Sequence, residues 1–132
     1  MSSYLNIYGV LKEDDRKICI VSYNRSCPIY QTFYENLHIE WAGNEDRYTE
    51  LTTEKVNAVL SEVKNQISNL EKRINEYEKH ANGNMDVINE ILDSREYLEE
   101  LISTREYLYF INDIIDNVNY SDTLKGIVCN IS

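Results

Sequence analysis

Few side chains in this chain could act as metal ligands, nucleophiles or general bases. There are two histidines, His38 and His80, and three cysteines, Cys19, Cys27 and Cys129. A zinc-binding helix needs a second histidine soon after the first, and His38 has none at that spacing. A structural zinc site takes four ligands, which these scattered residues do not supply as a group. We therefore expect no metal site and no cofactor.

Cys27 is the best candidate nucleophile, because a thiol at the N-terminus of a helix has its pKa lowered. A Cys–His pair would need His38 as its base, and no third residue to orient that histidine is evident. Free cysteines are more often small buried side chains. His80 falls in the last turn of a predicted helix, where a cation favours the helix dipole and a structural role is expected. The sequence therefore predicts a protein that is not an enzyme.

The net charge bounds the kinds of partner that the chain can meet. With 13 basic against 23 acidic residues, the formal charge is −10. Nucleic-acid phosphates and anionic lipids repel such a surface. We expect no direct binding to nucleic acid or to a membrane. Most of the acidic side chains recur with helical spacing between residues 53 and 118, which is typical of a solvated helix face.

Length and composition predict one domain in a reducing compartment. A chain of 132 residues matches a single domain of about 100–150 residues. The odd cysteine count argues against a disulfide framework. We expect no secretory signal and no membrane span, which would need about 20 apolar residues, and hence a cytoplasmic protein. Frequent Asn, Ile and Tyr, whose codons are AT-rich, favour a bacterial accessory protein or a phage protein in the host cytoplasm.

Alternating apolar residues predict a small antiparallel sheet built from the two ends of the chain. Residues 3–11 place Leu5 and Ile7 on one side, and this period of two indicates a strand. A charged break at residues 12–16 suits a hairpin turn, and the β-branched residues 17–23 suit its second strand. Residues 125–131 alternate again and predict a last strand that pairs with this hairpin.

The segment after the hairpin is harder to assign. Ser26 is a candidate N-cap, and Pro28 suits the first turn of a helix that continues to about Leu37. A bent strand over residues 30–34 is the competing interpretation. Residues 38–47 look like an irregular loop, and residues 48–51 predict a short strand.

An apolar heptad pattern dominates residues 53–80. Its apolar positions are separated by alternating steps of four and three, which is an a/d seam sustained for about three heptads. Thr53 is the expected N-cap, and the helix would be about 40 Å long. A helix of this length needs a partner. The seam positions are Val56, Leu60, Val63, Ile67, Leu70, Ile74 and Tyr77.

A polar break then separates this helix from a second one over about residues 85–118. Gly83 suits a left-handed turn, and Asn84 suits the cap of the second helix. The short connection makes the two helices antiparallel neighbours. The expected fold class is α+β, with one domain over residues 1–132. A β-rich base (residues 1–52 and 119–132) carries a helical hairpin, or coiled-coil arm (residues 53–118).

The apolar end of the second helix should meet the sheet of the base. Burying such side chains is worth roughly 1.5–3 kcal/mol each, so they are committed to folding. The expected core residues of the base are Leu5, Ile7, Ile18, Ile20, Leu108, Ile111 and Ile115.

Binding or assembly is the function that these features favour. Ser94 and Arg95 interrupt the early apolar face of the second helix, so the longer seam of the first predicts self-association of the arm. The simplest form is a dimer that makes a four-helix bundle. The alternative is an acidic inhibitor, or nucleic-acid mimic, that blocks a nucleic-acid-binding enzyme. The predicted oligomer seam is Leu60, Val63, Ile67, Leu70 and Ile74.

Aromatic side chains are the predicted contacts for a protein partner, because aromatic residues are typical binding hot spots. Tyr30, Tyr34 and Trp41 are expected to contribute more to affinity than the acidic side chains of the arm. Exposed charges act on long-range steering more than on affinity.

Overall fold

The alternating segments at the two ends of the chain form one antiparallel sheet. The computed structural model describes residues 3–37 and 48–131. The strand order is β2-β1-β4-β3, and all neighbours are antiparallel. The last strand therefore pairs with the first, as predicted, and the fold class is α+β. The strands are β1 (Tyr4–Leu11), β2 (Lys17–Asn24), β3 (Thr49–Glu50) and β4 (Leu124–Ile131).

One face of the sheet forms half of the core. Ile7 on β1 lies opposite Val21 on β2 and Cys129 on β4, and these side chains share one face of the pleat. Leu5 is fully buried on the same face. Burial on one face only is the usual arrangement of an antiparallel sheet. β4 also contributes Ile127 and Ile131 to this core.

The prediction that Ile18 and Ile20 belong to the core is wrong. Their exposed fractions are 51% and 39%. β2 is an edge strand, and its register against β1 shifts between Ile7 and Tyr8. Such a bulge bends the edge of a sheet and re-aims its side chains. The central positions of the sheet are held by β1 and by β4, which pairs with β1 on its other side.

A hydrogen-bonded polar cluster lies on the opposite face of the sheet. Asn6 Nδ2 donates to Asn130 Oδ1 over 3.2 Å, and the Ser22 hydroxyl donates to Asn6 Oδ1 over 2.7 Å. Both asparagines are buried. Unpaired polar groups are costly when buried, so a change of strand register that broke these bonds would be unfavourable. The bonds therefore help to hold β1, β2 and β4 in one register.

Helix α1 (Pro28–Asn36) follows β2, so the predicted helix is confirmed and the alternative of a bent strand is wrong. Pro28 is its first residue, where the missing N–H costs nothing. The N-cap is Cys27 and not Ser26, whose N–H and hydroxyl both bond to Asn24 Oδ1. α1 packs against the long helices and β2 through Ile29, Tyr30 and Phe33.

Helices α2 (Thr53–Lys79) and α3 (Met85–Val118) form the arm. Thr52, one residue before the expected cap, accepts a hydrogen bond from the Lys55 N–H at 3.2 Å. Asn84 caps α3 as predicted, by accepting from the N–H of Asp86 at 2.9 Å. Gly83 in the turn has φ +77°, a left-handed conformation that favours glycine.

The two helices bury their seams against each other. The Asn112 amide also donates to Asn57 Oδ1 across the interface over 2.9 Å. The Thr104 hydroxyl is satisfied within its own helix by the Glu100 carbonyl oxygen at 2.9 Å. The end of α3 continues over the sheet, so the arm and the base share one core. The buried residues of α2 are Val56, Val59, Leu60, Val63, Ile67, Leu70 and Ile74, and those of α3 are Ile91, Ser94, Leu101, Thr104, Leu108, Ile111 and Ile115.

Candidate functional site

The thiol of Cys27 lies among tyrosines. Cys27 raises the pKa of the Tyr107 hydroxyl, first through electrostatic repulsion and then through a hydrogen bond between the two side chains. The Tyr23 and Tyr107 rings are 5.0 Å apart, and burial raises the pKa of Tyr23 to about 12. Tyr23 therefore belongs to the core, and Cys27 and Tyr107 pack against it. The predicted partner of a Cys–His pair, His38, lies outside the described residues.

The remaining cysteines and histidine are dispersed. Cys129 is buried in β4, where burial raises the pKa of its thiol to about 12, whereas Cys19 is exposed on β2. His80 ends α2 and lies 3.7 Å from a carboxylate oxygen of Glu76. Within residues 3–37 and 48–131, no group of three or more His, Cys, Asp and Glu side chains could hold a metal ion.

No helix in the described part of the chain has the length and apolar character needed to cross a membrane.

Two of the three predicted aromatic contacts, Tyr30 and Tyr34, differ in exposure. Tyr30 is only 5% exposed and belongs to the core, whereas Tyr34 is 44% exposed. Their rings stack in parallel with centroids 6.4 Å apart. Trp41 lies outside the described residues. Among the described part of this trio, Tyr34 alone therefore offers a ring to a partner.

The predicted oligomer seam faces α3 of the same chain. Leu60, Val63, Ile67, Leu70 and Ile74 are all buried within one copy of the chain. The partner that a helix of this length needs is thus supplied within the chain. Self-association of the arm through this seam stays a prediction.

The charge of the arm is concentrated on one of its two helices. α2 carries five acidic and five basic residues, and α3 carries nine acidic residues against Arg95 and Arg105. Arg95 is paired with Glu78 of α2, and Arg105 contacts its own neighbour Glu106. α3 alone therefore accounts for a formal charge of −7. Counting the charges of each helix separately would have revealed this asymmetry from the sequence.

A polar groove lies where α1 meets the arm. Tyr97 and Glu100 of α3 line it together with Glu62 and Gln66 of α2. The Tyr97 hydroxyl and Gln66 Oε1 are 3.5 Å apart across it. We call this the α1-side groove. α1 supplies its third wall, with Glu35 and four neighbouring residues.

A second groove runs between α2 and α3 on the opposite side of the arm. Ile74 of α2 and Leu98 and Ile102 of α3 line it with apolar side chains. Its rim carries the carboxylates of Glu71, Glu78 and Glu99, of which Glu78 pairs with Arg95. We call it the free-side groove. Its volume is about 370 Å³.

Further exposed apolar side chains lie on the outer face of α3, about 80–120° around the helix from Leu98 and Ile102. Leu92 is 60% exposed towards the tip of the hairpin, and Phe110 is 47% exposed towards the base. Tyr109 is also exposed, and the Lys64 ammonium lies 5.2 Å from the centre of its ring. Leu98, Ile102 and Tyr109 lie within about 40° of one another around α3 and thus form an apolar strip on the free side of the arm. The carboxylates at the rim of the groove border this strip. Comparison with protein-family models, curated proteins and solved structures finds no match to this chain.

Proposed function

We propose that the chain is a non-enzymatic binding protein whose helical arm docks a protein with a basic surface. The observation that carries this proposal is the charge of α3, which has nine acidic and two basic residues beside a neutral α2. Helices that only need to be solvated usually mix both signs, as α2 does. A one-sided charge increases the rate of encounter with a basic partner and disfavours acidic ones.

Two copies of the chain fit this surface poorly. Docking two α3 faces would bring together formal charges of −7 and −7, and like charges at an interface are repelled. A basic partner of a different kind is therefore the better occupant. That the chain is a bacterial or phage accessory protein stays a prediction, and it is based only on the frequency of residues with AT-rich codons.

The experiment is a pull-down from the native host with matched charge variants as bait. One variant changes Glu96, Glu99 and Glu100 of α3 to glutamine. The control changes Glu13, Asp14 and Asp15 of the first hairpin turn to their amides. Each variant moves the formal charge of the chain from −10 to about −7, so the two differ only in position.

The partner should be lost about tenfold from the α3 variant and retained by the control, since each exposed charge pair is worth roughly 0.2–1 kcal/mol. Mass spectrometry identifies the proteins that follow this pattern. Equal capture by both variants would contradict the proposal.

The nucleic-acid mimic is the second candidate, and one row of carboxylates supports it. Asp86, Glu90, Asp93 and Glu100 recur at helical spacing and share one face of α3 over about 21 Å. Tyr97 occupies the position that would continue the row, and the neighbouring helix α2 carries five cations. A mimic would release its target steeply as salt rises, whereas an interface with apolar contacts would not. A salt series on the captured partner distinguishes the two.

A further inference from the structure

The arm has two sides, and only one of them is covered by a helix of the chain itself. α1 packs against α2 and α3 and forms one wall of the α1-side groove. Its contacts are apolar residues one turn apart, Ile29 and Phe33. The chain thus shows how this hairpin accepts a third helix, with apolar side chains against the seam and polar ones outward.

Helical geometry places the free-side groove across the arm from α1. At about 100° per residue, Leu98, Ile102 and Tyr109 lie within about 40° of one another around α3. Glu100, which lines the α1-side groove, lies about 160–200° away from them. No described helix or strand other than α2 and α3 lines the free-side groove.

We infer that the free-side groove binds a basic amphipathic helix of the partner protein. This inference rests on the proposed function. It adds which face of the arm binds the partner and which kind of partner segment binds there. The apolar floor of Ile74, Leu98 and Ile102 would take the apolar stripe of that helix. The rim carboxylates of Glu71 and Glu99 would take its lysines or arginines.

The dimensions and charges of the surface support this occupant. From Leu98 to Tyr109 the strip extends over about 17 Å of α3, which matches about three turns of a docked helix. Arg95 is the one cation among the lining residues, and it is already paired with Glu78. The rim therefore keeps a negative charge, which complements a basic helix and opposes an acidic one.

The test uses an 18-residue Leu–Lys peptide with leucines at i, i+3, i+4 and i+7, labelled for fluorescence anisotropy. A scrambled peptide has the same composition and charge but no apolar face. A Leu–Glu peptide has the opposite charge. Each is titrated with the full chain at low and at moderate salt, which separates the apolar from the electrostatic part of binding.

Two neighbouring charge reversals form the matched control. Glu99→Lys changes the rim of the free-side groove, and Glu100→Lys changes the α1-side groove with the same change of charge on the same helix. Tyr109→Ser removes an exposed ring on the free side of the arm, and Tyr34→Ser removes an exposed ring on the opposite side. All four side chains are exposed, so circular dichroism should show an intact fold for each.

The Leu–Lys peptide should bind at least about tenfold more tightly than the scrambled one. Glu99→Lys and Tyr109→Ser should weaken it about fivefold to tenfold, while Glu100→Lys and Tyr34→Ser leave it within about twofold. If both basic peptides bind equally and Glu99→Lys and Glu100→Lys weaken binding equally, the free-side groove is not the binding site. The proposed function, binding of a basic partner, would still stand.

Two other results would also overturn the inference. If neither basic peptide binds at low salt, the proposed function fails together with the groove. If light scattering shows that the chain alone dimerises and that Tyr109→Ser makes it monomeric, the occupant is a second copy of the chain.

Discussion

Replacing Ile67 by alanine tests whether the seam of α2 belongs to one chain or joins two. Ile67 lies in the middle of the arm and is buried against α3. Ser68, its exposed neighbour on α2, provides the control, because Ser68→Ala changes the same helix without touching the seam.

The expected loss follows from the size of the cavity. Isoleucine to alanine at a buried site costs about 2–5 kcal/mol, and about 3 kcal/mol is expected where two helices hold the surroundings in place. A protein of this size has a total stability of about 5–15 kcal/mol, so the variant should fold but be much less stable. With an m-value of about 2 kcal/mol/M, its urea midpoint should fall by about 1.5 M.

The assay is urea unfolding followed by circular dichroism at two protein concentrations about a hundredfold apart. An intrachain seam gives the same midpoint at both concentrations, for the natural chain and for both variants. Ser68→Ala should stay within about 0.5 kcal/mol of the natural chain. A midpoint that rises with concentration in the natural chain and no longer does so in Ile67→Ala would show that the seam joins two chains. A loss below about 1 kcal/mol would refute the burial argument.

Three further outcomes follow from the described geometry. A thiol reagent at pH 8 should modify Cys19 quickly and Cys129 only after unfolding, because Cys19 is exposed and Cys129 is buried. Burial raises the pKa of the Cys129 thiol from 9.0 to about 12, so this thiol loses its proton at a lower pH in the unfolded chain than in the folded one. The free energy of unfolding should therefore fall as the pH rises from about 9 to 12, and less steeply in Cys129→Ala. Gly83→Ala should cost about 1–2 kcal/mol in urea unfolding, because φ is +77° there although no atom lies within 4 Å of the added carbon. Asn130→Ala should cost about 1–3 kcal/mol by the same measurement, because it removes the buried acceptor of the Asn6 amide; a loss below 0.5 kcal/mol would show that the pair is dispensable.

Local signals account for most of the correct predictions of the elements. The turn at Gly83 and the cap at Asn84 place the boundary between the two long helices, since backbone conformation and capping depend on immediate neighbours. The strand period of β1 and the heptad steps of α2 likewise depend on spacing alone. The first helix was less certain because nine residues give little periodicity to read.

The errors concern which surface each element buries. Ile18 has the residue type and spacing of a core position, yet it is exposed because β2 lies at the edge and its register shifts. Tyr30 has the residue type of a partner contact, and its ring is buried in the core and stacked on that of Tyr34. Neither outcome follows from alternation, because a pattern shows that a face is apolar but not what covers it.

The sequence by itself determined the order of strands and helices, the antiparallel hairpin and the acidic balance of α3, since these depend on local spacing and composition. Only the tertiary structure decided that α3 covers the α2 seam within one chain, and that α1 closes one side of the arm. The physical reason is that apolar surface is satisfied by any close partner, whether it belongs to the same chain or to another. The chain's own packing is what leaves Leu98 and Ile102 on the free side, beside the carboxylate of Glu99.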